Sequence, residues 1–227
     1  MSNNMNMMSA VQEPSIEHIL LREMSHRMNN ELSSAIGVIA VAAARSENDE
    51  ARATLIAVQN QLQNYAGVHH SLAMPEYDTA IELNAYLHRL CKAISRSKLE
   101  GCGIELSLSL YPVRMSSGRC WLLGMIVFEL VTNAARHAFS GRSGAIHLEL
   151  LTNGKLVECR VTDNGRSNTE VMPGCGLKIV EALARHLSGT VSVHSGNGGT
   201  TSIVLIPEGV WSGRRTDYDI DITRSGN

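Results

Sequence analysis

Between residues 16 and 45 the apolar positions Leu21, Met24, Met28, Leu32, Ala35 and Ile39 recur at steps of three or four. At about 100° per residue they fall on one stripe, which predicts a single amphipathic helix. Pro14-Ser15 supplies its start, with Ser15 as candidate N-cap and Glu17 and Glu23 toward the favourable N-terminal end. The polar turn Ser46-Glu47-Asn48-Asp49 leads into a second helix, whose Leu55, Val58, Leu62, Tyr65, His69 and Leu72 make a coiled-coil-like seam. Two such helices form a hairpin, and a hairpin alone cannot bury both of its faces. The pattern therefore predicts a pair of hairpins, from two copies of the chain, closing into a four-helix bundle. His69 lies in the seam and is expected to be packed there. His26 lies nearly opposite the first stripe, beside Glu23, Asn30 and Ser33, so it is expected to be exposed. Taken alone, an exposed helical histidine is a surface residue.

The pattern changes after Met74-Pro75-Glu76-Tyr77-Asp78. A helix is predicted from Ile81 to about Leu99, with Leu83, Leu87, Leu90 and Ile94 on one buried face and Gly101-Cys102-Gly103 as its stop. Residues 104–110 alternate strictly, as a half-buried strand does. A further helix is expected from Ser116 to about Phe139, then strands over 145–151 and 156–162 joined at Asn153-Gly154. A helix over 177–187 and strands over 190–194 and 200–206 close the series. One sheet with helices on one face makes an α+β sandwich. The domains are thus drawn as a tail at 1–14, the hairpin at 15–75, the sandwich at 79–208 and a tail at 209–227. Ser212 to Asn227 are polar and aperiodic and are expected to be disordered.

Composition narrows the function. With 44% hydrophobic residues and a net charge of −2 over 227 residues, the chain is of the soluble globular class. No basic excess points to nucleic acid or to an acidic membrane surface. No run approaches the roughly 18 apolar residues of a membrane span. The Met-rich start has neither a basic nor an apolar signal region, so a cytoplasmic location is expected. The five cysteines, Cys91, Cys102, Cys120, Cys159 and Cys175, show no metal-ligand spacing and read as reduced thiols, several of them filling core.

The chemistry concentrates in the sandwich. Glu129, Asn133, Arg136 and His137 share one polar helix face, while Ile126, Leu130, Ala134 and Ala138 point to the core. Asp163-Asn164-Gly165 puts a carboxylate at a strand end beside a glycine that admits a close neighbour. Gly174-Cys175-Gly176-Leu177 opens a helix whose free N–H groups suit phosphate. Gly198-Gly199-Thr200-Thr201 brings hydroxyls into the last strand. Each feature alone is common.

In this order and spacing, FELVTNAARHAF, VTDNG, GCGLKIV and GGTTSIVLIP together resemble the N, G1, G2 and closing Gly-Thr boxes of the GHKL ATPase superfamily. LLREMSHRMNNEL resembles the phosphoacceptor element of bacterial two-component histidine kinases of the subclass in which His is followed by Arg and then Asn. The resemblance covers about residues 16–207 and implies a Bergerat ATP-binding fold on a dimeric four-helix bundle. It implies that Asn133 holds Mg²⁺ between the phosphates of ATP, with Glu129 and Arg136 or His137 flanking. Asp163 would accept the adenine amino group and Gly165 would admit the base. Gly174, Gly176 and Leu177 would shape the phosphate cover, and Thr200 or Thr201 would support Asp163. His26 would take the γ-phosphoryl group, with Glu23 or Asn30 fixing its tautomer or accepting its proton. The implied partners are a second copy, a response-regulator receiver domain and a separate sensor protein. Three features depart from the family pattern: Arg27 stands where many such kinases carry an acid beside the histidine, Arg166-Ser167 replaces the second glycine of the G1 box, and the stretch 166–173 is short. Two alternatives belong to other classes. One is a histidine phosphotransfer or adaptor protein with a degenerate ATPase-like domain, and the other is a GHKL-type protein-serine kinase that would leave His26 idle.

Overall fold

The computed structural model describes residues 16–75, 77, 79–165 and 175–209. The predicted tails apart from Gly209, together with Ser15, Gly174 and the stretch 166–173, lie outside the described residues.

The hairpin consists of α1 (Ile16–Arg45) and α2 (Asp49–Ser71). Asn48 caps α2, its side-chain oxygen accepting from the Ala51 N–H at 3.0 Å, and Asp49 and Glu50 complement the positive end of the helix dipole. Within one chain the hairpin stays largely open to solvent. Met24 is 63% exposed and Met28 and Val58 are each 44% exposed, whereas Ala43 and Val68 are buried. His69, expected inside the seam, is exposed in the single chain, and its neighbour Val68 is the buried residue.

Val68 is buried because the C-terminal part of α2 packs on the second domain, where it joins the core cluster. The Trp121 indole N–H donates to the Leu72 carbonyl at 2.8 Å, and the Lys98 ammonium lies 4.4 Å from the centre of the Tyr65 ring.

In that domain β1 (Ala80–Glu82) pairs antiparallel with β3 (Arg114–Ser116) in a two-stranded sheet. The predicted start at Ile81 is therefore two residues early. Strand pairing claims 80–82, the Leu83 N–H donates to the Val113 carbonyl, and α3 runs from Leu83 to Ile94. The expected end near Leu99 holds only in a changed winding, a π-helical turn at Ser95–Leu99 followed by a 3₁₀ turn at Glu100–Cys102. Next come β2 (Ile104–Leu110), α4 (Ser117–His137), β4 (Gly144–Asn153), β5 (Leu156–Asp163), α5 (Cys175–His186), β6 (Thr190–Gly196) and β7 (Gly199–Pro207). The five-stranded sheet has the order β2-β4-β5-β7-β6, parallel between β2 and β4 and antiparallel elsewhere.

Period-two alternation turns one face of this sheet toward the helices. Ile146, Leu148 and Leu150 of β4, Val157, Cys159 and Val161 of β5, and Val204 and Ile206 of β7 are buried there. Leu83, Leu87, Leu90 and Ile94 of α3, Leu123, Ile126 and Val127 of α4, and Val180 of α5 close the layer from above, each fully buried. Cys91, Cys120 and Cys159 fill this core as thiols while Cys102 is exposed, and burial pushes the Cys91 thiol up to about 12.

Candidate functional site

Asp163 ends β5 on the helix-facing side and is one of two buried polar residues, with Ser117, among those described. Its Oδ1 accepts the Gly165 N–H at 2.9 Å and the Thr200 N–H at 3.3 Å. Burial raises its pKa, and these two backbone bonds pull it partly back. Among the described residues both bonds go to Oδ1, so Oδ2 remains for an incoming donor.

The surrounding backbone is fitted to that carboxylate. Asn164 is clipped to the start of β4, its side-chain oxygen accepting from the Ala145 N–H at 2.8 Å and its N–H donating to the Ala145 carbonyl at 3.1 Å. That fixes the direction in which Asp163 and Gly165 leave the strand. A Cβ at Gly165 would overlap the Ala138 carbonyl just past the end of α4. Gly199 has φ +124°, and a Cβ there would overlap the Asp163 carbonyl. Gly199, Asn164 and Ala138 were not singled out from the sequence. The Gly198-Gly199 doublet was the available signal for the first, while the other two depend on contacts between distant segments.

The second half of the site lies farther back on α4. Asn133 precedes Ala138 by one and a half turns, about 7.5 Å along the axis. A Cβ at Gly176, in the first turn of α5, would lie 2.8 Å from Asn133 Nδ2 and 3.1 Å from Glu129 Oε2. The α5 backbone thus sits directly against the carboxamide and carboxylate of α4, with half-buried Leu177 beside it. Arg136 lines a cavity of about 330 Å³ together with Lys98, Cys102, Phe128, Glu129 and Thr132. His137 is exposed at the helix end.

The two threonines separate. Thr200 supports Asp163 through its backbone N–H, while its hydroxyl meets Ser195 Oγ at 3.2 Å. Thr201 sits one position on, where its hydroxyl meets Thr162 Oγ1 at 3.2 Å on the opposite face of the sheet. Hydroxyl support of Asp163 by Thr201 is therefore corrected, because adjacent strand residues face opposite sides.

On α1, His26 is exposed, as are Asn30 and Glu23. The Glu23 carboxylate is held by Arg27 one turn on, at 2.8 Å. His26 and Val68 are equally far along the chain from Glu47 in the turn, so the histidine stands level with the place where α2 meets the second domain.

The donor set suits a hard cation: a carboxamide and a carboxylate oxygen side by side, open on one side and closed by backbone on the other. Among the described residues no cluster of three ligating side chains occurs, so a cation here would draw most of its coordination from phosphate oxygens and water, as Mg²⁺ does. The sandwich thus presents a buried carboxylate near one end of α4 and hard oxygen donors farther back on it, behind a helical hairpin that carries an exposed histidine.

Comparison with known proteins agrees. A family model described as "Histidine kinase" matches residues 23–98, and one described as "Histidine kinase-, DNA gyrase B-, and HSP90-like ATPase" matches residues 118–210. The chain belongs to the histidine kinases, with an ATPase domain of the GHKL type. It is 27% identical over 193 residues to the sensor histidine kinase PdtaS of Mycolicibacterium smegmatis, covering 82% of this chain and 38% of that protein. It is 29% identical over 202 residues to blue-light-activated histidine kinase 2 of Erythrobacter litoralis, covering 82% of this chain and 56% of that protein. The chain thus spans between about two fifths and three fifths of the length of these relatives. The histidine kinase domain of the Erythrobacter litoralis EL346 blue-light-activated kinase shares the fold, with a TM-score of 0.57 and 24% identity over 78% of this chain and 95% of that one. Among the described residues no helix is long and apolar enough to cross a membrane.

Proposed function

We propose that the chain is an ATP-dependent protein kinase that phosphorylates itself on His26 and passes the phosphoryl group to an aspartate of a response-regulator receiver domain, in the cytoplasm. The observation that carries this is the buried Asp163, placed by Gly165 and Gly199 so that one oxygen faces an incoming amine. Asn133 and Glu129 stand on α4, the helix capped by Ala138, and Gly176 of α5 faces them.

Phosphoryl transfer asks a protein mainly for positioning and charge neutralisation. Asp163 accepts a hydrogen bond from the exocyclic amine of adenine, and Gly165, seated against the Ala138 carbonyl, holds that carboxylate in place through its N–H. Gly176 presents backbone where the phosphates pass, and Asn133 with Glu129 would hold Mg²⁺, which when bound offsets phosphate charge. His26 is exposed, and its imidazole, when neutral, has a lone pair for in-line attack on the γ-phosphorus. The γ-phosphorus bond to the bridging oxygen breaks, and ADP leaves with that electron pair. Glu23 flanks His26 by one turn and is the acceptor for the ring proton, held in place by Arg27. Asn30, one turn on, orients the ring. The exposed Met24, Met28 and Val58 support a second copy of the hairpin completing a four-helix bundle.

Incubation with γ-labelled ATP tests this. The label should be acid-labile and base-stable, and should vanish in His26→Gln and in Asn133→Ala. A label that survives His26→Gln refutes the assignment of the acceptor. Absence of Mg-ATP binding by calorimetry would refute the kinase and leave an adaptor with a degenerate ATPase fold.

A further inference from the structure

β2 is the end strand of the sheet, with β4 on one side and no neighbour on the other among the described residues. The Tyr111 N–H donates to the Leu150 carbonyl and the Gly103 carbonyl accepts from the Gly144 N–H, so odd-numbered positions point at β4. By alternation Leu106, Leu108 and Leu110 present their N–H and C=O groups to the free edge. Their side chains are only half-buried although they lie on the core-facing side. Beside them is an open groove of about 570 Å³, lined by Leu108 and Leu110 of β2 and by Asn84, Ala85, His88 and Arg89 of α3. The Asn84 Oδ1 atom is buried and has no hydrogen-bond donor among the described residues. A bare strand edge beside a groove that is apolar on the strand side and largely polar on the helix side is an arrangement that an added strand can complete.

The chain carries a segment of matching pattern. Within residues 212–227, aperiodic when taken whole, Asp217-Tyr218-Asp219-Ile220-Asp221-Ile222-Thr223 alternates strictly between acidic and apolar positions until the closing threonine. The described chain ends at Gly209, just past Pro207. Pro207 pairs with Leu156, Leu156 with Asn153, and Leu110 with Leu150, so β7 and β2 end on the same side of the sheet. From β7 to a strand beyond β2 is four strand spacings, about 19 Å. The residues between Gly209 and Tyr218 can span roughly 30 Å when extended.

We propose that Asp217–Thr223 docks in this groove as an added strand antiparallel to β2. Entering from the Leu110 end, it pairs Tyr218 with Leu110, Ile220 with Leu108 and Ile222 with Leu106. These three apolar side chains then face α3, and the Tyr218 hydroxyl donates to Asn84 Oδ1. The aspartates project to the other face, beside exposed Ser107 and Ser109. The proposal is independent of the phosphotransfer reading.

Amide hydrogen exchange on the full chain tests it at Leu106, Leu108 and Leu110, comparing the native sequence with Ile220→Asp/Ile222→Asp. Exchange of these amides should be about tenfold or more slower in the native sequence, with amides of β4 and β5 unchanged. Tyr218→Phe should lie between the two. Equal exchange in the native sequence and the double variant overturns the proposal. Protection that is lost on dilution also overturns it, because a second copy would then be covering the edge.

Discussion

The hairpin and the sandwich follow the same patterning rules and reach opposite ends. In the sandwich most apolar stripes have met another, and Leu83, Leu87, Leu90, Ile94, Ile146, Leu148 and Leu150 are fully buried. In the hairpin the stripe has met only one partner helix, and Met24, Met28, Val38, Val41, Ile56 and Val58 remain exposed. The sandwich is complete as one chain, and the hairpin is complete only with something added. The division suits the chemistry, because a nucleotide site needs a rigid, pre-formed cradle and a phosphoacceptor must be offered to more than one visitor.

The comparison is broken most severely in the core. Leu87→Ala or Leu148→Ala should cost about 3 kcal/mol in urea unfolding, independent of protein concentration. If either cost proved concentration-dependent, the sandwich would not be self-sufficient.

Next in size is the site itself. Asp163→Asn puts an amide where adenine offers its own N–H, and should weaken ATP binding by about 100-fold, some 2.7 kcal/mol, measured by calorimetry. Its effect on stability should go the other way. The folded-state pKa of Asp163 is raised, so the contribution of this group is most favourable below the usual carboxylate pKa and is lost as pH rises through the raised value. At pH 7 the charged form is a burden, and the variant should unfold at equal or higher urea concentration. That gain should disappear below about pH 4. A variant that loses stability at pH 7 would show that the two backbone bonds outweigh burial.

In the hairpin, Met24→Glu/Met28→Glu should turn a dimer into a monomer by light scattering, with ATP affinity unchanged. A variant that stays dimeric would move the interface elsewhere. At the junction, Trp121→Phe removes the donor to the Leu72 carbonyl and should cost about 1 kcal/mol. The smallest effect belongs to Arg27→Ala. Its ion pair with Glu23 is solvent-exposed, so its loss should leave thermal unfolding unchanged, while any role in holding Glu23 would appear as a slower rate of self-phosphorylation.

Much of this was legible in the sequence because local rules and global fold agree. The stripe at 83, 87, 90 and 94 names a buried helix face without any knowledge of its partner. Asp163-Asn164-Gly165 announces a strand-ending carboxylate, since only a few residue types tolerate that exit. What escaped were features made by pairing between distant segments. Ile81 has helical neighbours, and only Met115 opposite makes it a strand residue. Thr200 and Thr201 are alike as letters, and the pleat sends one toward Asp163 and the other away. Asn164 means nothing until Ala145 is beside it.

The sequence by itself determined the elements, the two-part division and the chemical types available, because periodicity and turn chemistry act over a few residues. The tertiary structure alone decided which of those groups converge. Gly176 against Asn133, Gly165 against the Ala138 carbonyl and Gly199 against Asp163 are contacts between residues far apart in sequence. Such contacts are set by the packing of α4 and α5 on the sheet, and no local preference encodes them.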